Sequence, residues 1–249
     1  MKTNSFDQPT VVSEDKWLAT RKELLREEKE LTRLRDQLAA KRRELPWVKV
    51  AKAYTFDSPR GFVSLAELFN GCSQLAVYHF MLGPNWQEGC PSCSFVADHL
   101  DPAVVHLEAR DVAFAVVSRA PLTEILPFQK RMGWSFNWVS SNQNDFNYDY
   151  HVSFTEEEMA RKTVYYNYRL TDFPNDEAPG LSVFAKDMNG DIFHTYSTYE
   201  RGLDPLIGTY TLLDLVPKGR NEEPTKFYKM DWVRYHDSYD KPADVAATR

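Results

Sequence analysis

Cys90 and Cys93, in the run Cys90-Pro91-Ser92-Cys93, are the side chains of this sequence whose type and spacing best suit covalent chemistry. If a helix begins at Pro91, Cys90 stands at its N-terminal edge. Unpaired backbone N–H groups and the positive end of the helix dipole there favour a thiolate over a thiol. A thiolate is the species that attacks a disulfide. Cys93, one turn later on the same face, can then displace the product and close an internal disulfide. Pro91 suits the first helical position, where its missing N–H would have had no partner.

Two other readings use the same pair. A zinc site needs four ligands; the nearby candidates are His99 and His106, and no second C-x-x-C follows, so no metal and no cofactor are assigned. The pair could also be inert. Cys72 precedes the strand that leads to the dithiol, at the far end from Cys90. It reads as a small buried apolar residue rather than a resolving thiol.

The dithiol needs a strand before it and a helix after it. Residues 74–82 are a mostly apolar strand. The turn-rich loop GPNWQEG follows, then a helical stretch from the dithiol to about Leu107. Residues 112–118 (VAFAVVS) are a second buried strand, and 121–132 are a helix opened by Pro121. A short strand spans 136–140, and 155–161 are a short helix. Residues 181–187 and 191–198 form a hairpin around Asn189-Gly190, and 204–215 are a closing helix. Residues 61–70 read as a helical turn. Strand–helix–strand order implies parallel pairing with right-handed crossovers, and the hairpin adds an antiparallel edge.

Residues 14–45 contain no Gly or Pro. Trp17, Leu24, Leu31 and Leu38 recur every seven residues behind the N-cap candidate Ser13, which predicts a long amphipathic helix ended before Pro46. It packs on its own domain or acts as a dimer arm; Arg21, Glu28 and Arg35 interrupt a continuous coiled-coil seam. The expected organisation is a helical arm over 1–45, one α/β domain over 46–220 and a tail over 221–249.

Composition bounds the rest. The chain has 249 residues, 43% of them apolar and 27% charged, a composition that can fill a core. A net charge of −6 and a pI near 5.6 argue against nucleic acid as a partner. Apolar runs are too short for a membrane span. Residues 1–13 lack the apolar core of an export signal, and three cysteines are too few for a disulfide scaffold. These features predict a cytoplasmic protein.

The stretches QLAVYHFMLGPNW, CPSCSF, RDVAFAVVSRAP, RMGWSFNWVSS, FNYDYHVSF, PGLSVFAKD, HTYSTYERG and LLDLVPKGR resemble a bacterial family of unknown function described as predicted dithiol–disulfide oxidoreductases, within the thioredoxin-like superfamily. The resemblance covers roughly residues 65–220, and the N-terminal helix also fits. It implies an α/β, three-layer thioredoxin-like fold, with a central mixed sheet, a C-terminal β-hairpin and the long N-terminal helix in addition. In that fold a cis proline faces the dithiol, and Pro179 in Pro179-Gly180-Leu181-Ser182-Val183-Phe184 takes its place. An X–Pro bond adopts cis at a cost of about 0.5–1 kcal/mol, and the exposed backbone beside it could pair with a substrate chain. The plainer reading is a trans proline opening an edge strand.

Two departures stand out. The loop before the dithiol is longer than in thioredoxin, and the nearest tryptophan is Trp86. Gln87 occupies the position three before Cys90 where peroxiredoxins carry Thr, so no peroxide-activating pocket is evident. Arg119 follows a strand expected to run parallel to the one before the dithiol, where sites gather, and could stabilise the Cys90 thiolate or form a surface ion pair. His79 is a candidate proton acceptor in place of the buried acid of thioredoxins, or a hydrogen-bonded core histidine. His194, Tyr196 and Tyr199 could line a pocket or pack half-buried.

These readings predict a thiol–disulfide oxidoreductase. Cys90 attacks, Cys93 resolves, and Pro179, Arg119 and Trp86 contact a protein or small-molecule disulfide or thiol. A thiol peroxidase and a non-catalytic binding module, dimeric through the N-terminal helix, are the alternatives.

Overall fold

The computed structural model describes residues 9–222 and 229–240, and the chain divides after Pro46 into two units. The opening stretch 1–8 and the parts of the expected tail at 223–228 and 241–249 lie outside the described residues. Helix α1 (Glu14–Arg43) fills the first unit. Ser13 accepts a hydrogen bond from the Lys16 amide; Glu14 and Asp15 stand in the first turn and Lys41, Arg42 and Arg43 in the last, so the charges at both ends complement the helix dipole.

The second unit opens with β1 (Val48–Lys49), β2 (Thr55–Ser58) and β3 (Gly61–Ser64), followed by α2 (Leu65–Leu68). Residues 61–70 are thus a strand and then a helix, where a single helical turn was expected. Phe62 and Val63 pair with Asp57 and Phe56 of β2. Ser64 ends the strand by starting a capping box with Glu67.

Strand β4 (Gln74–His79) leads to α3 (Pro91–Leu100), which begins on the dithiol. The expected helix to Leu107 is broken at Asp101–Ala103 before α4 (Val104–Glu108). Pro102 cannot continue the amide ladder, and the Asp101 carboxylate instead accepts from the Ser135 and Phe136 amides at 2.8 and 2.9 Å. Strand β5 (Val112–Ser118), α5 (Leu122–Met132) and β6 (Asn137–Ser140) follow, then α6 (Phe146–Asp149) and α7 (Glu156–Ala160). The small hairpin β7 (Val164–Tyr166) and β8 (Arg169–Thr171), unforeseen from sequence, precedes β9 (Gly180–Lys186) and β10 (Ile192–Tyr199). The closing segment is a 3₁₀ stretch, Glu200–Leu206, and α8 (Gly208–Leu213).

Among the described residues the large sheet has eight strands in the order β1-β10-β9-β4-β5-β6-β2-β3. β4, β5 and β6 are parallel, while β9 runs antiparallel to β4 and pairs with β10. The hairpin is not the edge that the sequence suggested, because β1 covers β10. Alternate residues face opposite layers. Tyr78, Phe114, Val116 and Trp138 join the cluster that holds α3 and α5. Leu75, Val77, Ala115, Val117 and Val139 join the one that holds α2 and α6. The result is three layers with the sheet between two helical faces. No helix among the described residues is long and apolar enough to cross a membrane.

Candidate active site

The backbone of β4 fixes the dithiol. Just beyond the strand, the Met81 carbonyl accepts from the Cys90 amide at 3.0 Å. Cys90 is the N-cap of α3, in extended backbone at φ −56° and ψ 128°, and Pro91 is the first helical residue. Gly89 must be glycine because a Cβ there would lie 2.5 Å from the Phe80 ring and 2.7 Å from the Phe128 ring.

Cys90 is half-buried, Cys93 is buried, and both are free thiols. The Cys93 thiol donates to the Cys90 sulfur, and the amides of Cys93 and Ser92 and the Ser92 hydroxyl add to it. These donors outweigh burial and bring Cys90 down to about 7. Cys93 moves the other way, pushed well up by burial and by the neighbouring Cys90. Near neutral pH, one sulfur is therefore about half thiolate and the other is held as a thiol that donates to it.

Tyr78, fully buried, projects from β4 towards this pair; its hydroxyl lies 3.5 Å from the Cys93 carbonyl and hydrogen-bonds the Cys93 side chain, which lowers Cys93. Burial pushes Tyr78 far above its ordinary value, so it remains a donor. It was missed from sequence, where its neighbour His79 drew attention as the titratable residue of the strand.

His79 is a correction. As the next residue along β4 it faces the opposite layer, against the rings of Phe146 and Tyr150. Its Nε2 pairs with the Ser182 hydroxyl at 2.8 Å. Ser182 meets Ser197 at 2.8 Å, and Ser197 meets His194 Nε2 at 2.7 Å. Burial lowers His79 to about 3, so it is neutral and does not take a proton from the dithiol. On that far face Tyr150, Tyr165, Tyr168, His194 and Tyr199 line a shallow cleft.

Arg119 is also placed away from the thiols. Its guanidinium bonds the Glu177 carboxylate and the Tyr148 hydroxyl, reaches Asp176 at 2.9 Å and lies 5.1 Å above the Tyr148 ring. Glu177, 1% exposed, is raised to about 7 by burial against the pull of Arg119. Arg119 thus anchors the segment that leads into Pro179 rather than the Cys90 sulfur.

Pro179 precedes β9, whose Gly180 pairs with His79. By strand alternation it shares a face with Leu181, which packs against the dithiol cluster. No peptide bond among the described residues is cis, so Ala178–Pro179 is trans. The Pro179 carbonyl accepts from the Tyr166 hydroxyl at 2.7 Å, and Tyr166 lies within electrostatic reach of Cys93. Trp86 is half-buried in the loop before Cys90 and packs against the same cluster. Its indole crosses Gly83, where a Cβ would meet Nε1 at 2.9 Å.

His99, one of the weighed zinc ligands, is committed elsewhere: Nδ1 to the Phe95 carbonyl at 2.6 Å and Nε2 to the Thr209 hydroxyl at 2.8 Å. Cys72, half-buried, is raised by burial, in keeping with a packing role.

A parallel β4–α3–β5 unit, an antiparallel β9–β10 hairpin on the other side of β4 and a dithiol at the tip of α3 define a thioredoxin-like protein. Within that class, the profile of the family described as bacterial protein of unknown function, DUF899, matches residues 6–239, and the chain belongs to this family. No curated protein matches it. Similar solved structures include peroxidoxin BcpB from Mycobacterium tuberculosis, at 12% identity and TM-score 0.44 over 66% of this chain and 95% of that one. Another is a cysteine-to-serine mutant of peroxiredoxin Q from Xanthomonas campestris, at 11% and 0.44 over 64% and 90%. A third is the mitochondrial 2-Cys peroxiredoxin of Plasmodium falciparum, at 14% and 0.39 over 68% and 92%. These likenesses are distant, and the fold assignment rests on the strand order above.

Proposed function

We propose that the protein is a thiol–disulfide oxidoreductase. The observation that carries this reading is the unequal pair at the tip of α3: a half-buried Cys90 lowered to about 7 beside a buried Cys93 thiol that donates to it. The Cys90 thiolate attacks one sulfur of a substrate disulfide, forms a mixed disulfide and expels the other sulfur as a thiolate. That thiolate takes up the Cys93 proton. Cys93 then attacks the Cys90 sulfur, releases the second substrate thiol and closes the Cys90–Cys93 disulfide. An external thiol returns the pair to its reduced form.

The groups that lower Cys90 are a thiol, a hydroxyl and backbone amides, while Arg119 is turned towards Glu177 and Asp176. This favours disulfide exchange over peroxide reduction, where a cation beside the sulfur would help to polarise the O–O bond. Peptide mapping after diamide oxidation should recover a Cys90–Cys93 linked peptide. Recovery of both residues as free thiols would overturn the reading.

We also place the protein in the cytoplasm, because three cysteines are too few for the disulfide scaffold of a small exported domain. The heptad residues Trp17, Leu24, Leu31 and Leu38 make α1 the proposed dimer contact. Light scattering should show a mass that falls to the monomer when Leu24→Glu and Leu31→Glu are combined.

A further inference from the structure

Residues 229–240 belong to a segment whose sequence shows no helical or strand period, yet they pack as a strap across the dithiol end of the domain. Val233 is buried in the cluster that contains Cys93. Trp232 meets Phe95 of α3 edge-on at 5.6 Å, and its indole donates to Glu222 at 2.9 Å. Tyr235 donates to the Gly89 carbonyl, immediately before Cys90, at 2.6 Å, and its ring meets Phe128 at 5.7 Å. Arg131 lies 4.9 Å over that ring and holds Asp237 at 2.9 and 3.1 Å as well as the Glu88 carboxylate. His236 reaches Asp98 at 2.7 Å. The strap is therefore tied to the loop before Cys90, to the helix after it and to α5, and the Tyr235 hydroxyl is raised first by burial and then by the nearby Glu88 and Cys90.

A second, independent observation concerns the opposite rim. A polypeptide docking beside Pro179 would add a strand through backbone groups at that turn. Two of those groups are already used: the Ala178 amide donates to the Val152 carbonyl at 2.8 Å, and the Pro179 carbonyl accepts from Tyr166. An incoming chain would have to compete with these hydrogen bonds to pair there.

We infer that the substrate of the pair is a low-molecular-weight disulfide and not a disulfide held in a folded protein, with Tyr235 and its strap as the specificity-determining element. The inference rests on the thiol–disulfide reading above. In the balanced step, one small disulfide and two cysteine thiols become two small thiols and the Cys90–Cys93 disulfide, and a low-molecular-weight dithiol reverses it.

The test compares one bond in two sizes. The reduced full chain, in a Cys72→Ser background so that only the pair responds, is mixed with free dithiobis(nitrobenzoate), or with a carrier protein bearing the same aryl thiolate as a mixed disulfide on a surface cysteine. Release of the coloured aryl thiolate is followed by stopped flow, with dithiothreitol as the unhindered reference. Relative to dithiothreitol, the free reagent should outpace the carrier by at least about tenfold, because exchange rates depend on access to the sulfur. Tyr235→Phe combined with Asp237→Ala, with circular dichroism unchanged, should raise the carrier rate several-fold and leave the free reagent nearly unaffected. A full-chain ratio equal to that of dithiothreitol would overturn the inference while leaving the oxidoreductase reading intact. So would a folded strap variant with an unchanged ratio, for which His236→Ala is the second check. If the folded chain reacted with neither reagent and the unfolded chain with both, the oxidoreductase reading itself would fall, and the inference with it.

Discussion

Consecutive residues of β4 serve the two faces of the sheet under opposite electrical conditions. On the dithiol face, Tyr78 donates towards Cys93, and Cys90 collects several donors at a helix N-terminus, so a half-buried acid ionises near neutrality. On the other face, His79 meets neutral serine hydroxyls and aromatic rings, its Nδ1 has no partner, and burial keeps it uncharged. Burial alone thus sets no charge state; what decides it is whether the surroundings donate to the charged form. The Arg119–Glu177 pair at the carboxyl end of β5 is intermediate, since Glu177 is raised to about 7 despite a guanidinium partner.

The strongest challenge to this contrast comes from removing a partner charge. Arg119→Met should destabilise the domain by about 3 kcal/mol at pH 8, because it leaves Glu177 buried and unpaired. Glu177 stands at about 7 when folded against an ordinary 4.5. Its cost to stability is therefore absent below 4.5 and builds up as pH rises through 7. Without Arg119 the folded value climbs further, so urea unfolding should show a loss that shrinks towards pH 5. A pH-independent loss would show that the Glu177 charge is irrelevant.

His79 has the opposite sign. Its folded value near 3 lies below the ordinary 6.5, so the unfolded chain binds the extra proton. Stability is full above 6.5 and falls as pH drops towards 3, by up to about 1.4 kcal/mol per pH unit. His79→Phe should remove that contribution and gain, relative to the native chain, about 2 kcal/mol at pH 5 compared with pH 7. Between 4.5 and 6.5 the two groups oppose each other, so the native profile there should be shallower than that of His79→Phe, while Arg119→Met, which keeps both groups, departs from it mainly above pH 6.5.

Much of this was legible in the sequence wherever the signal was local. The C-x-x-C with Pro91, the apolar run of β5, Pro121 ahead of α5 and the Asn-Gly hairpin each depend on neighbours a few residues away. What escaped depends on distant partners or on parity. Arg119 could be placed near the site, but its partner Glu177 is 58 residues on. The run SQLAVYHFML is buried on both faces, so no alternation of polarity revealed that Tyr78 and not His79 meets the thiols. The strap has no period because it is held by single aromatic and ionic anchors, one of them 146 residues from its partner.

A finer cut at the dithiol face is Cys93→Ala, which removes the largest of the interactions lowering Cys90. The pH midpoint for iodoacetamide alkylation of Cys90 should rise from about 7 by roughly one unit, equivalent to about 1.4 kcal/mol. An unmoved midpoint would assign the thiolate to the helix terminus and the Ser92 groups alone.

The smallest expected effect separates the two faces most directly. Tyr78→Phe deletes the hydroxyl that lowers Cys93 and should cost about 1 kcal/mol of stability. It should leave the Cys90 alkylation midpoint in place, since the hydroxyl acts on the other sulfur. The visible change should be in the second step: with Cys93 harder to ionise, closure of the internal disulfide from a preformed mixed disulfide on Cys90 should slow about threefold. His79→Phe, one residue along but across the sheet, should leave that closure rate unchanged. If both variants slowed closure equally, the sheet would not insulate the dithiol from the histidine–serine chain behind it, and the proton released by Cys93 would have a route through β4.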